Sequence, residues 1–190
     1  MATKKVKKDL GQLLVDKGII TPEMLLSAAE ILGREPNKGR RKLPQVLVEE
    51  FHIDHDMVYR EVADFYAFKS LNVTVESVDD RRLNFIRRLL NEVSDSIREL
   101  VIEHRVLPFG VDNETRERLT IITPDPTNTE VYFIARAFSY KKFEITYVSA
   151  EQWNEVWQRV NIGRSGYLRK DGSSGDQRLL EELDSEASYE

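Results

Sequence analysis

The 190 residues carry no cysteine and 28 Lys+Arg against 33 Asp+Glu, a formal net charge of −5. The missing cysteines exclude a disulfide scaffold, thiolate metal sites and a cysteine nucleophile, and the mild acidity argues against a dedicated nucleic-acid binder. No apolar run approaches the roughly 20 residues of a membrane helix and no apolar signal region follows Met1, so a reducing, cytoplasmic compartment without direct membrane insertion is expected.

Residues 1–8 form a basic arm, with Lys4, Lys5, Lys7 and Lys8 ahead of the first apolar position. Leu10, Leu13 and Leu14 followed by Lys17-Gly18 predict a short amphipathic helix, stopped by a glycine that tolerates the left-handed conformation. Thr21-Pro22-Glu23 starts a second helix, with Thr21 as N-cap and Pro22 at its first position. Met24, Leu25, Ala28, Ala29 and Leu32 are its expected buried stripe. A charged loop from Gly33 to Arg41 follows, and then the plan recurs. Leu43, Val46 and Leu47 match the first helix, His52-Ile53 the turn, and Asp54 a new cap. The expected stripe here is Met57, Val58, Val62, Phe65 and Tyr66. Leu10 aligns with Leu43, an internal repeat offset by 33 residues. Neither helix-turn-helix copy can bury its apolar face alone, so the two should pack together.

From Leu71 the period changes. Leu71, Val73 and Val75 alternate as a short edge strand or extended link. Asp79 to His104 returns to helical spacing, with a break near Asn91 to Ser94 and Ser94 or Asp95 capping a second helix. Val106–Val111 and Leu119–Thr123 predict two strands joined by a turn at Asp112–Thr115. Asp125-Pro126-Thr127-Asn128 opens a helix to about Phe138, Phe143–Val148 alternates as a strand, and Ser149 caps a last helix burying Trp153, Val156, Trp157 and Val160. The expected fold is α+β: a duplicated helical subdomain over 9–70, then a small α/β lobe with a short mixed sheet over 71–161. The Gly/Ser-rich, acidic stretch over 162–190 is expected to be a disordered tail.

Catalytic chemistry finds no support. Gly-x-x-x-x-Gly-Lys-Ser/Thr occurs nowhere, which removes the P-loop route to ATP hydrolysis, and no Ser/His/Asp set is readable. His52, Asp54, His55 and Asp56 are a dense cluster in which a metal is conceivable, but helix capping accounts for them better. Arg34, Lys38, Arg40, Arg41 and Lys42, five cations within nine residues, are the best anion- or partner-binding candidates. Arg81-Arg82 and Arg87-Arg88 fit a solvated helix face.

The stretch Leu10-Gly11-Gln12-Leu13-Leu14-Val15-Asp16-Lys17-Gly18-Ile19-Ile20-Thr21-Pro22-Glu23-Met24-Leu25 resembles the N-terminal domain of type II secretion and type IV pilus assembly ATPases. Arg105–Phe109, Leu119–Thr127 and Tyr147–Glu151 follow in that family's order, so the resemblance spans roughly residues 9 to 161. It implies docking of an ATPase onto the inner-membrane platform of a secretion or pilus machine. The chain would then be a non-catalytic regulatory or adaptor module, long enough for that domain and too short for the motor. Its expected partner is a protein of a secretion, pilus or motility machine, with any membrane association peripheral and through that partner.

A subset of the family binds cyclic di-GMP through the duplicated motif, so that nucleotide is the one small-molecule ligand the resemblance implies. No other cofactor is expected. Carried over, the ligand-binding positions are Leu10, Gly11, Leu14, Gly18 and Leu25 in the first copy. In the second they are Arg41, Lys42, Leu43 and Leu47. Asp9 and Lys42 stand where the motif has arginines, Pro44 and Phe51 where it has glycines, and Leu32 and Phe65 where it has glutamines. The apolar frame survives while the polar handles are largely replaced.

Overall fold

The computed structural model describes residues 9–34, 41–74, 77–112 and 117–171, with side chains as far as residue 161. Four helices form the duplicated unit: α1 (Leu10–Asp16), α2 (Pro22–Arg34), α3 (Leu43–Phe51) and α4 (His55–Phe65). Local chemistry sets their ends. Gly18 lies at φ 69° with its N–H on the Val15 carbonyl, while the Ile19 N–H reaches back to Leu14. Thr21 Oγ1 accepts from the Met24 N–H at 3.2 Å, and Asp54 Oδ1 from the Met57 N–H at 2.8 Å. Each satisfies one of the amides a helix start leaves free. The copies differ at the turn: α3 keeps Phe51 helical, so the left-handed residue is His52, at φ 54°.

The repeat buries Leu10, Leu14, Ile20, Ala28, Val46, Leu47, Val58 and Val62 in one core. Two expected stripes are rotated. Ala29, Met57 and Tyr66 are exposed, whereas Tyr59 and Ala63 are buried. On α4 the face toward the repeat core carries Val58, Tyr59, Val62 and Ala63.

The lobe follows as β1 (Lys69–Ser70), α5 (Asp80–Glu92), α6 (Asp95–Glu103), β2 (Leu107–Val111), β3 (Arg118–Thr123), α7 (Glu130–Ala137), β4 (Lys142–Tyr147) and α8 (Ala150–Asp171). Its mixed sheet has the order β1-β4-β3-β2, parallel at β1/β4 and β3/β4 and antiparallel at β2/β3. The β3-α7-β4 crossover explains the parallel centre. Edge strand β2 carries Pro108 and a register shift before Gly110, features that discourage further strand pairing. Ser94 caps α6 and Ser149 caps α8, as expected.

Several boundaries differ from the sequence expectation. Of the short edge strand or extended link expected at Leu71–Val75, residues 71–74 form the link, with Val73 buried in the lobe core, and the two-residue strand β1 lies just before them. β1 pairs with β4, so the lobe's sheet already begins inside the range assigned to the repeat. Asp125 does not open α7 but ties the preceding turn, accepting from the Thr127 N–H and Oγ1, and α7 starts at Glu130. α8 continues to Asp171, ten residues into the stretch expected to be disordered. No proline interrupts it, and an internal glycine costs a helix only about 1 kcal/mol. The arm over 1–8, the turn over 113–116 and the remainder of the expected tail, 172–190, lie outside the described residues.

Helices α4, α6 and α7 end on non-glycine residues in the left-handed region: Ala67 at φ 57°, Arg105 at 51° and Ser139 at 57°. At Ala67 the closing bonds run from the Phe68 N–H to Ala63 and from the Ala67 N–H to Asp64. A side chain in this conformation costs about 1–2 kcal/mol, which glycine avoids. Ala67→Gly should therefore stabilise the fold by about 0.5–1 kcal/mol once glycine's larger unfolded-state entropy is subtracted. A thermal melt shifted upward by a few degrees checks this, and a downward shift contradicts it.

Candidate functional site at the seam between the lobes

The starts of the two repeat copies converge. Asp9 and Leu10 from the first copy, and Lys42, Leu43 and Pro44 from the second, line one groove of about 410 Å³. Tyr66 and Phe68 beyond α4, and Pro126, Thr127 and Tyr132 of the lobe, complete it. Positions 33 residues apart in the chain thus face one cavity, on the seam where repeat meets lobe.

The structure distributes the other candidate residues differently. Leu14 and Leu47 are fully buried in the repeat core, and Leu25 lies against it. Gly11 is a packing residue. A Cβ there would stand 2.6 Å from Leu25 Cδ1 and 3.4 Å from Leu43 Cδ2, so the missing side chain lets α1 approach its neighbours. Gly18 has open space around it and is required only by its positive φ. Both motif glycines therefore have structural work that calls for no ligand.

The basic candidates are engaged internally. Arg34 pairs with Glu30 one turn earlier at 3.1 Å. Arg41 Nη1 holds Glu49 at 3.0 Å and Glu50 at 2.7 Å, which neutralises the cation expected to meet phosphate. Lys42 begins α3, with its N–H on Gln45 Oε1 at 2.9 Å, and its ammonium donates to the Thr127 carbonyl across the seam. Lys38 and Arg40 lie outside the described residues. Of the α5 arginines, Arg81 and Arg88 are exposed as their spacing suggests, whereas Arg87 donates to the Val160 and Arg159 carbonyls at 3.0 and 2.7 Å and Arg82 lies over the Phe109 ring. With Asp9 opposite Lys42, the groove offers one charge of each sign, whereas a double phosphate requires net positive charge.

The histidine cluster has a structural explanation. Asp54 caps α4, and Asp56 Oδ1 accepts from the Ala150 N–H at 2.8 Å while facing His55 Nδ1 at 3.2 Å. Among the described residues no group of three His, Asp or Glu side chains has the geometry to hold a metal ion. Nor, among them, is any helix long and apolar enough to cross a membrane.

Sequence reasoning passed over the tyrosines at the seam. Tyr59 on α4 is buried and donates to Asp125 Oδ2 at 3.3 Å. Tyr147 at the end of β4 is also buried, with its hydroxyl 3.5 Å from the Asp56 carboxylate. Burial, reinforced by the facing Asp125 charge, pushes the Tyr59 hydroxyl far above its ordinary value. Burial and the Asp56 charge do the same for Tyr147, against a smaller opposing effect of Arg60. Both therefore stay protonated in the fold when the unfolded chain ionises near pH 10. Their stabilisation is complete below that pH and is lost as pH rises beyond it, at up to about 1.4 kcal/mol per pH unit for each group. Urea midpoints should fall more steeply above about pH 10 in the natural protein than in Tyr59→Phe. Parallel slopes would contradict the assignment.

No protein-family model matches the chain, and no curated protein matches it. Solved structures do match. MshE with cdg, the cyclic dinucleotide, aligns over 80% of this chain and 99% of that one, at 20% identity and a TM-score of 0.55. The N-terminal domain of XpsE aligns in two crystal forms over 84% of this chain and 98% and 99% of those chains. Identities there are 12% and 14%, with TM-scores of 0.48 and 0.41. The chain shares the fold of the MshE structure across most of its length, as the resemblance in Leu10–Leu25 and the segments after it implies.

Proposed function

We propose that this chain is a non-catalytic interaction module, an adaptor or regulatory domain that joins a protein component of a secretion, pilus or motility machine. It works in the cytoplasm, and any contact with the inner membrane is peripheral and made through that partner. The fold shared with MshE supports the machine class, and the sequence lacks the glycine-rich phosphate loop of a motor. One observation carries the reading. The features a nucleotide would use are spent on the fold itself: Gly11 on helix packing, Gly18 on a turn, Leu14 and Leu47 on the core, and Arg41 on Glu49 and Glu50. What such a frame still offers is a rigid surface for a partner.

The test is affinity purification of the full chain from its native cell with identification of what co-purifies. A secretion, pilus or motility component held through a high-salt wash is the expected result. Recovery of none of these would count against the proposal.

A second reading, a cyclic di-GMP sensor with a diverged motif, is favoured by one specific observation: the starts of both copies line a single groove, and MshE was solved with cdg. In that case Lys42 leaves Thr127 to meet phosphate, and Leu10 and Leu43 bed the guanines. Arg34, Lys38, Arg40 and Arg41 would then contribute only longer-range attraction.

A further inference from the structure

We propose that Tyr147, whose ring crosses the seam into the repeat's core, and Tyr59, whose hydroxyl reaches back to the lobe, latch the helical repeat and the α/β lobe into one rigid body. The groove is then a preset surface rather than a cleft that closes.

Tyr147 belongs by sequence to the lobe, as the last residue of β4, yet its ring is part of the repeat's apolar core and only 4% exposed. Its hydroxyl lies 3.5 Å from both the carbonyl and the carboxylate of Asp56. The same carboxylate reaches back to the lobe and accepts from the Ala150 N–H at the start of α8. Tyr59 makes the reverse tie through its hydroxyl alone, its ring staying in the repeat's own core. It stands on α4, is 3% exposed, and donates to Asp125 in the turn after β3. Asp125 cannot swing freely, because its other oxygen holds the Thr127 N–H and Oγ1. His55 stacks on the Tyr59 ring with centroids 4.3 Å apart, fixing it from the repeat side.

Two further ties accompany the latch. Lys42 donates to the Thr127 carbonyl. The chain leaving α4 enters the lobe's sheet as β1, and the Leu71 N–H donates to the carbonyl of Tyr147 itself. Relative motion is the ordinary expectation for two lobes joined by a small polar interface. Here any rotation must draw the Tyr147 ring out of the repeat's apolar core and break the hydrogen bonds of Asp56 and Tyr59, both in the first half of α4, together. That coupling removes small hinge motions as intermediate states. The latch also bears on function: whatever occupies the groove between Leu10, Leu43 and Tyr132 meets a surface already formed and gains no domain closure.

The absence of cysteine makes the test direct. Spin labels at Ser27→Cys on α2 and Glu99→Cys on α6, both exposed, give the distance between the lobes by pulsed dipolar spectroscopy on the full chain. The natural protein should show one narrow distance, Tyr147→Phe the same, and Tyr147→Ala a broad or split distribution. A broad distribution in the natural protein overturns the latch, as does an unchanged narrow one in Tyr147→Ala. Should Tyr147→Ala fail to fold, the double variant Tyr59→Phe with Asp56→Ala leaves both ring volumes in place and cuts the polar ties. Widening is then expected, and an unaltered width overturns the proposal.

Discussion

Leu47→Ala should lower unfolding stability by about 2–5 kcal/mol with no ligand in solution. Leu47 is wholly buried at the centre of the repeat core, so truncation removes three carbons from contacts that α1, α3 and α4 cannot re-form by collapse. The transfer of those carbons accounts for part of the loss and the cavity for the rest. Leu14→Ala, at the equivalent place in the first copy and equally buried, should cost about the same on the same grounds. If these leucines were primarily a bed for guanine, the free protein would tolerate their loss and only ligand binding would suffer. Urea denaturation of the two variants decides. A loss below about 1 kcal/mol for both, far under the range for a buried leucine, would mean that the repeat is not packed as described.

Gly11→Ala should destabilise by no more than about 1 kcal/mol, because the overpacking falls on the flexible end of half-buried Leu25 and alanine is otherwise the better helix former. The added methyl would stand 2.6 Å from Leu25 Cδ1, closer than atoms can approach, so either Leu25 leaves its rotamer or α1 moves off. The mechanism has a specific signature. Leu25→Ala vacates the space the new methyl needs, so the double variant should lose less than the two single losses added together. Strict additivity would place the strain elsewhere. Gly11→Arg is for the same reason a poor probe of nucleotide binding, since it disrupts the repeat whether or not a ligand site exists.

The parts of the fold legible in sequence are those governed by neighbouring residues. Thr21, Asp54, Ser94 and Ser149 cap the helices expected of them, because capping is settled within three residues. The duplication was legible too, since Leu10 and Leu43 repeat one apolar frame. Contacts between distant residues were not. β1 is two residues long and is defined by pairing with β4 some 75 positions later. Arg87 reads as a solvated cation until α8 brings the carbonyls of Arg159 and Val160 against it.

The candidate site divides along the same line. Positions 9, 10, 42 and 43 were legible as a repeated motif, and the structure brings them to one groove. Tyr59 and Tyr147 were not: Tyr59 falls outside the expected stripe, Tyr147 sits in a strand like any core aromatic, and only folding brings the Tyr147 ring and the Tyr59 hydroxyl across the seam. The loss of polar handles was visible in Asp9, Leu32 and Phe65. That the surviving glycines and leucines already serve the fold required the packing around them.

Calorimetric titration of the full chain with cyclic di-GMP tests the central claim most directly. No saturable heat is expected at nucleotide concentrations well above the micromolar range. Micromolar binding that is abolished by Lys42→Ala, a surface change that leaves both cores intact, would contradict it and establish the groove as a nucleotide sensor.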